Sequence, residues 1–300
     1  YKALEDTTTG AENVAVGNAS LQENSTGNYN TSVGYGSLCA GTTVEQNVAV
    51  GRYAMRNATT ANDNVAIGSA SMNAISTGAH NVGIGRLTLE CNATGDFNVA
   101  VGSCALRCFT AGGNVAVGYC AMNSASGGAN MGIGYRALQV ASGTNNVAIG
   151  FESMVATSTG CQSVAVGRGS LSCQTTGGNS VAIGYEASCA NTTGVNSVSI
   201  GYRALKVSTT ASRNTAVGYE AGRSISTGSC NTFVGECAGR ETTTASGNVV
   251  IGRCALASSQ VGAGNSIVGF ESLKLNTCSF NSALGYRALS CQTTGQRNTA

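Results

Sequence analysis

Thirteen cysteines are the most reactive side chains in this chain, and several stand at matched intervals. Cys91 and Cys108 form one such pair, as do Cys104 with Cys120 and Cys237 with Cys254. Cys173 with Cys189 and Cys278 with Cys291 are near matches. Thiols held side by side can be oxidised to a disulfide, whereas zinc sites favour a short C-x2-C spacing, which is absent. The cysteines therefore point to cross-linking and away from a metal, and no cofactor is expected.

Little else offers chemistry. His80 is the sole histidine, flanked by Ala79 and Asn81, and reads as a surface residue. The carboxylates do not pair in an acid–base arrangement. Thr110-Ala111-Gly112-Gly113 lacks the Gly-Lys-Ser/Thr ending of a phosphate loop, and the calcium-binding glycine–aspartate nonapeptide does not occur. No catalytic residue is assigned, and the chain is not expected to be an enzyme. Asn24, Asn57, Asn92 and Asn191 each begin an Asn-x-Ser/Thr sequon; they are candidate glycan acceptors, expected to point outward from a loop.

The cysteine intervals follow from a larger period. Asn13-Val14-Ala15-Val16-Gly17 returns at residues 47–51, 64–68, 98–102, 114–118 and 146–150, and with small substitutions to the end. Its closing glycines stand 17 residues apart, shortened to 16 four times. A fixed short period means a solenoid, in which each repeat buries its apolar face on its neighbours. The reading is all-β: a parallel β-roll or β-helix with one coil per repeat, and residues 1–300 as a single continuous array. Numbered from 1 to 17, position 16 is Val or Ile and is expected to be buried, position 15 is nearly always small, and positions 13 to 16 form a strand. Positions 1 to 5 are expected to form a second short strand, whose Leu or Met at position 4 closes the coil over the Val/Ile column. Gly17 fits a corner of positive φ or close backbone approach, and Thr at 9 with Gly at 10 makes the return turn. Position 1 is often aromatic (Tyr1, Tyr35, Tyr119, Phe151, Tyr185, Tyr286) or Arg.

Position 13 is Asn in most repeats, among them Asn13, Asn47, Asn64, Asn98, Asn114 and Asn248, and Ser at 163, 180 and 197. Equivalent residues of stacked coils lie ~4.8 Å apart, so these amides can bond up the stack as a register ladder. The same spacing falls within the Cα–Cα range of ~4.4–6.8 Å for a disulfide. At least two of the pairs Cys91–Cys108, Cys104–Cys120 and Cys237–Cys254 are thus expected to be oxidised, which places the chain outside the cytosol.

The composition is glycine-rich (42 residues), free of proline and only 10% charged. The recurring Val/Ile column argues against disorder. A net charge of +2 with no basic stripe excludes a nucleic-acid partner, and no apolar run approaches the ~18 residues of a membrane span. The chain starts at the first position of a repeat and ends at Asn298-Thr299-Ala300, short of the next anchor glycine, so a segment of a longer fibre protein is expected.

Asn179-Ser180-Val181-Ala182-Ile183-Gly184 and Asn196-Ser197-Val198-Ser199-Ile200-Gly201 resemble the head repeats of trimeric autotransporter adhesins. Tyr202-Arg203-Ala204-Leu205, followed by Asn214-Thr215-Ala216-Val217-Gly218-Tyr219, looks like repeats of phage and large-virus tail fibres, some of which end in an S74-type self-cleaving chaperone. The resemblance implies a left-handed β-roll, a homotrimeric fibre and a role as rigid spacer or adhesive shaft. It implies an extracellular, cell-surface or virion location, with further copies of the chain as partner and a cell-surface glycan or receptor as target. The adhesin repeat is shorter than 17 residues and exported adhesins avoid cysteine, which turns the reading towards a viral, eukaryotic or other extracellular fibre. In such a trimer the small residues at position 15 would let three chains approach, so Ala100→Trp should hinder assembly more than Glu90→Trp. The alternative is a monomeric ice-binding or glycan-binding β-solenoid, for which Thr at position 9 supplies one column while position 7 is mixed.

Overall fold

The computed structural model describes residues 2–124, 126–258, 262–275 and 277–300, so Tyr1 lies outside the described residues. The chain divides into two compact units, Tyr1–Asn145 and Asn146–Ala300. Unit one carries strands β1 (Val14–Val16), β2 (Thr31–Val33), β3 (Val48–Val50), β4 (Val65–Ile67), β5 (Val82–Ile84), β6 (Val99–Val101), β7 (Val115–Val117) and β8 (Met131–Ile133). Unit two carries β9 (Val147–Ile149), β10 (Val164–Val166), β11 (Val181–Ile183), β12 (Val198–Ile200), β13 (Thr215–Val217), β14 (Thr232–Val234), β15 (Val249–Ile251), β16 (Ser266–Val268) and β17 (Ser282–Leu284). Within each unit successive strands pair in parallel at the same repeat position, as in Val48↔Val65 and Val181↔Val198. Each unit is therefore an all-β solenoid, with one rung per repeat and no helix among the described residues.

The interior is narrower than the residue types suggest, and two expectations are corrected. Alternate strand residues face opposite sides. The small residue at position 15 is the one that points inward: Ala49, Ala66, Ala100, Ala116 and Ala165 have no exposed surface. Val and Ile at positions 14 and 16 point out, with Val16 57% and Ile67 40% exposed. The position-4 residue does close the coil, but over the alanines; Leu21, Leu38, Met55 and Met72 are fully buried. Together with the position-13 side chain it occupies the lumen and faces a small residue in most rungs, with Val250 and Ile267 the larger, fully buried aliphatic exceptions.

Positions 1 to 5 are not a strand. Positions 2 and 4 both adopt left-handed backbone, as in Ala70 (φ 54) and Met72 (φ 52), a conformation costing roughly 1–2 kcal/mol for a residue with a Cβ. The two flips aim successive amides in opposite directions. The Ala70 N–H donates to Arg52 O of the preceding rung at 2.8 Å, and the Met72 N–H to Thr88 O of the following rung at 2.8 Å. Those bonds, with about 1.5–3 kcal/mol from burying each Leu or Met side chain, offset the backbone cost.

The corner glycine is required twice over. Gly51 has φ 135, and a Cβ on it would lie 2.5 Å from the Gly68 carbonyl oxygen. A different compensation occurs at Phe233, which occupies position 15 where most rungs carry a small residue, yet has no exposed surface. Its own rung and the next carry Gly222 and Gly239 at position 4, where Leu or Met stands in most rungs. A Cβ on Gly222 would lie 2.7 Å from the Phe233 ring, and one on Gly239 would overlap it. One phenyl ring thus replaces two position-4 side chains.

Candidate functional site

Position 13 forms a continuous amide ladder within each unit. Asn64 Oδ1 accepts from the Asn81 backbone N–H at 2.9 Å and from Asn81 Nδ2 at 3.1 Å. Asn64 Nδ2 donates to Asn47 Oδ1 (3.2 Å), Asn62 O (2.8 Å) and Gly78 O (2.9 Å), so one buried side chain ties three rungs. Asn13, Asn98, Asn114 and Asn248 hold corresponding places. In unit two the ladder passes through serines, where the links from Ser180 to Ser163 and from Ser197 to Ser180 lengthen to 3.4 Å. Position 8 adds a second ladder: Ser25 Oγ donates to Thr42 O at 2.9 Å and Thr175 Oγ1 to Thr192 O at 3.1 Å.

This scaffold holds positions 14 and 16 outward as two parallel columns. Position 14 carries only Val, Thr, Met or Ser, and position 16 only Val, Ile or Leu. No charge interrupts either column in either unit, and the result is an uncharged, largely aliphatic ribbon.

Beyond the corner, position 1 forms a stack. Tyr185, Tyr202 and Tyr219 lie face to face with centroids 5.3 and 5.1 Å apart. The Arg168 guanidinium sits 5.5 Å from both the Phe151 and Tyr185 rings. Because the rings cover one another, they expose edges and hydroxyls rather than faces. At positions 2 and 5 opposite charges interleave between rungs: Arg107 Nε lies 2.6 Å from Glu90, and Glu186 is met by Lys206 at 2.8 Å and Arg203 at 3.0 Å.

Sequence reasoning did not anticipate one groove of about 410 Å³, lined by Glu152, Arg168, Ser172, Cys173, Glu186 and Cys189. Its signal in the sequence was Gly169, a missing side chain at position 2 between two glutamates. Hydrogen bonds from Lys206, with Arg203 and Tyr185 adding, hold the Glu186 carboxyl below the usual range. A depressed folded pKa contributes stability that is present above the ordinary carboxyl value of about 4.3 and is lost as pH falls through the folded value. Glu186→Gln should therefore lower stability slightly at pH 7, flatten its dependence on pH below about 4.3, and show smaller effects in high salt, since the cluster is partly exposed. Thermal melts at several pH values check this.

The remaining singled-out residues fall as follows. His80 is on the surface, 52% exposed at its side chain, stacked on Phe97 at 5.0 Å and 4.0 Å from Asp63. Of the four candidate glycan acceptors only Asn57 is exposed. Asn24, Asn92 and Asn191 point inward instead of outward, because each side chain closes a turn onto a backbone three residues on. Asn24 Oδ1 accepts from the Gly27 N–H at 2.9 Å and its Nδ2 donates to Gly27 O at 3.0 Å; Asn92 and Asn191 repeat this on Gly95 and Gly194. Cys91 and Cys108 meet, thiol to thiol, at 2.9 Å. Partial burial pushes the Cys120 thiol up, and the neighbouring Cys104 adds to this. Burial and then the neighbouring Cys254 raise Cys237. The Cys173 N–H donates to Cys189 O at 3.1 Å, the Gly295 N–H donates to Cys278 Sγ at 3.3 Å, and Cys291 lies beside Ser290 at 3.8 Å. Among the described residues no three His, Cys, Asp or Glu side chains group as a metal set, and no helix is long and apolar enough to cross a membrane.

The chain matches no protein-family model, no curated protein and no solved structure. Fold and surface together define an all-β tandem-repeat protein, β-solenoid in type.

Proposed function

We propose that this chain is a structural element of an extracellular or virion fibre, a rigid shaft that associates with two further copies of itself. The observation that carries this is the uncharged ribbon of positions 14 and 16. Monomers rarely expose long contiguous apolar surface, and a regularly repeating ribbon can pack against copies of itself. Three-fold symmetry, left-handed coiling and an attachment role come from the resemblance to adhesin heads and tail fibres. A cell-surface glycan or receptor as target belongs to the same reading.

Because position 15 lies inside the coil, Ala100→Trp would break the rung before it reported on assembly. The informative changes are outward. Val50→Lys combined with Val101→Lys should weaken assembly about 100-fold or more, since each chain would bury two unpaired charges. Thr43→Lys with Thr94→Lys, exposed at position 9, should leave assembly unchanged. Sedimentation equilibrium decides: a trimer split only by the first pair is expected. A monomeric unmodified chain would overturn the proposal; thermal hysteresis from that monomer would then establish the ice-binding alternative, for which the threonine column at position 9 is the candidate surface.

A further inference from the structure

Four cysteines fall on three successive rungs of unit one: Cys91 on 86–102, Cys104 and Cys108 on 103–118, and Cys120 on 119–134. Cys91 and Cys108 share one repeat position, and their sulfurs stand 2.9 Å apart on the exposed surface. Closure to a disulfide of ~2.05 Å needs a movement of under about 1 Å. Cys104 and Cys120 share position 2 in the same left-handed backbone (φ 59 and 52), so their Cβ bonds run parallel. Their amides make equivalent bonds to the preceding rung, Cys104 N–H to Arg86 O at 2.9 Å and Cys120 N–H to Ser103 O at 3.0 Å.

The place of this cluster is informative. In unit one the hydroxyl ladder of position 8 runs from Thr8 through Ser25, Thr42 and Thr59 to Ser76, whose Oγ donates to Ala93 O at 3.0 Å. Ala93 has no hydroxyl to pass on. The repeat also shortens from 17 to 16 residues with the rung 103–118. The paired thiols begin on the rung where the ladder stops.

We propose that Cys91–Cys108 and Cys104–Cys120 are a tandem redox staple: two intrachain disulfides that lock three rungs where the position-8 ladder ends. The oxidant is a small-molecule disulfide such as oxidised glutathione. The Cys108 thiolate attacks one of its sulfurs, forming a mixed disulfide and releasing one reduced thiol. Cys91 then loses its proton and displaces the second. Two protein thiols give up two electrons and two protons, and one small disulfide becomes two thiols, so the exchange balances. Partial burial, with the hydrogen bond that Cys91 donates to Cys108 adding, raises the Cys91 thiol to about 11 and lowers its thiolate fraction, which leaves the first attack to Cys108. Cys120 and Cys104 exchange by the same chemistry.

The test uses the full chain, reduced and then equilibrated folded with an oxidised/reduced glutathione mixture. Free thiols are trapped by alkylation and the digest is mapped without reduction. Peptides joined through Cys91–Cys108 and Cys104–Cys120 within one chain are expected. Amide exchange across β6 and β7 should slow about tenfold or more on oxidation, as local opening is suppressed. The double variant Cys91→Ser with Cys104→Ser should show no such slowing. Complete alkylation of all four thiols at an oxidising poise, pairing only between chains, or equal slowing in the double variant would overturn the staple. None of these readouts depends on oligomeric state, so failure of the fibre proposal and failure of the staple remain separate results.

Discussion

Gly239→Leu is expected to unfold the rungs around it, and Phe233→Ala in the same chain to restore them. Left-handed backbone is not the obstacle, because Leu256 (φ 47) and Leu273 (φ 49) hold the same repeat position in the same conformation. The obstacle is the Phe233 ring, which occupies the volume a leucine would need. Overpacking costs about 1–3 kcal/mol when neighbours can shift. Here the ring is fully buried between rungs, and the loss should reach the upper end or exceed it. Phe233→Ala alone should cost about 3–5 kcal/mol through the cavity it leaves. The double variant restores one of the two position-4 side chains that the ring replaces, so its loss should be smaller than the sum of the two single losses. Denaturation of the three variants measures the coupling, and simple additivity would refute this account of the core.

The second large effect is expected at the amide ladder. Asn64→Ala removes the acceptor of the Asn81 amide and three donations, two of them to the carbonyls of Asn62 and Gly78, at a site with no solvent. At about 1–3 kcal/mol for each buried group left unsatisfied, the loss should be roughly 3–5 kcal/mol, felt on both neighbouring rungs. Asn64→Ser should cost less, because serine already carries the ladder through Ser163, Ser180 and Ser197 with longer bonds. Hydrogen exchange resolved by rung separates the two. Equal losses for Ala and Ser would mean that the ladder contributes little.

The period, the parallel strands at positions 14 to 16 and the Asn column were legible because each repeats in sequence as it repeats in space. What was not legible has physical causes. Val16 was expected inside because large aliphatic residues usually are. Which side of the strand faces in depends on lumen width, and that is set by side chains such as Leu38 and Met55 elsewhere in the coil. Nothing in Met72 or Cys104 announces positive φ; stacking imposes it by demanding amides that alternate between the rungs above and below. Asn24 and Asn92 read as surface sequons, although the glycine three residues on was the sign of a closed polar turn. The charged groove at Gly169 needed the column of neighbours to be seen at all.

Within each unit, and among the described residues, the hydrogen bonds of a rung stay within it or reach the rungs on either side of it. A gene that copies or drops one repeat's worth of codons therefore adds or removes a layer without disturbing any other contact. Length becomes a trait that replication slippage can adjust in small steps while the fold stays the same. The exceptions are layers bound by private arrangements, such as the Phe233 ring between its two glycines, which must be inherited together or not at all.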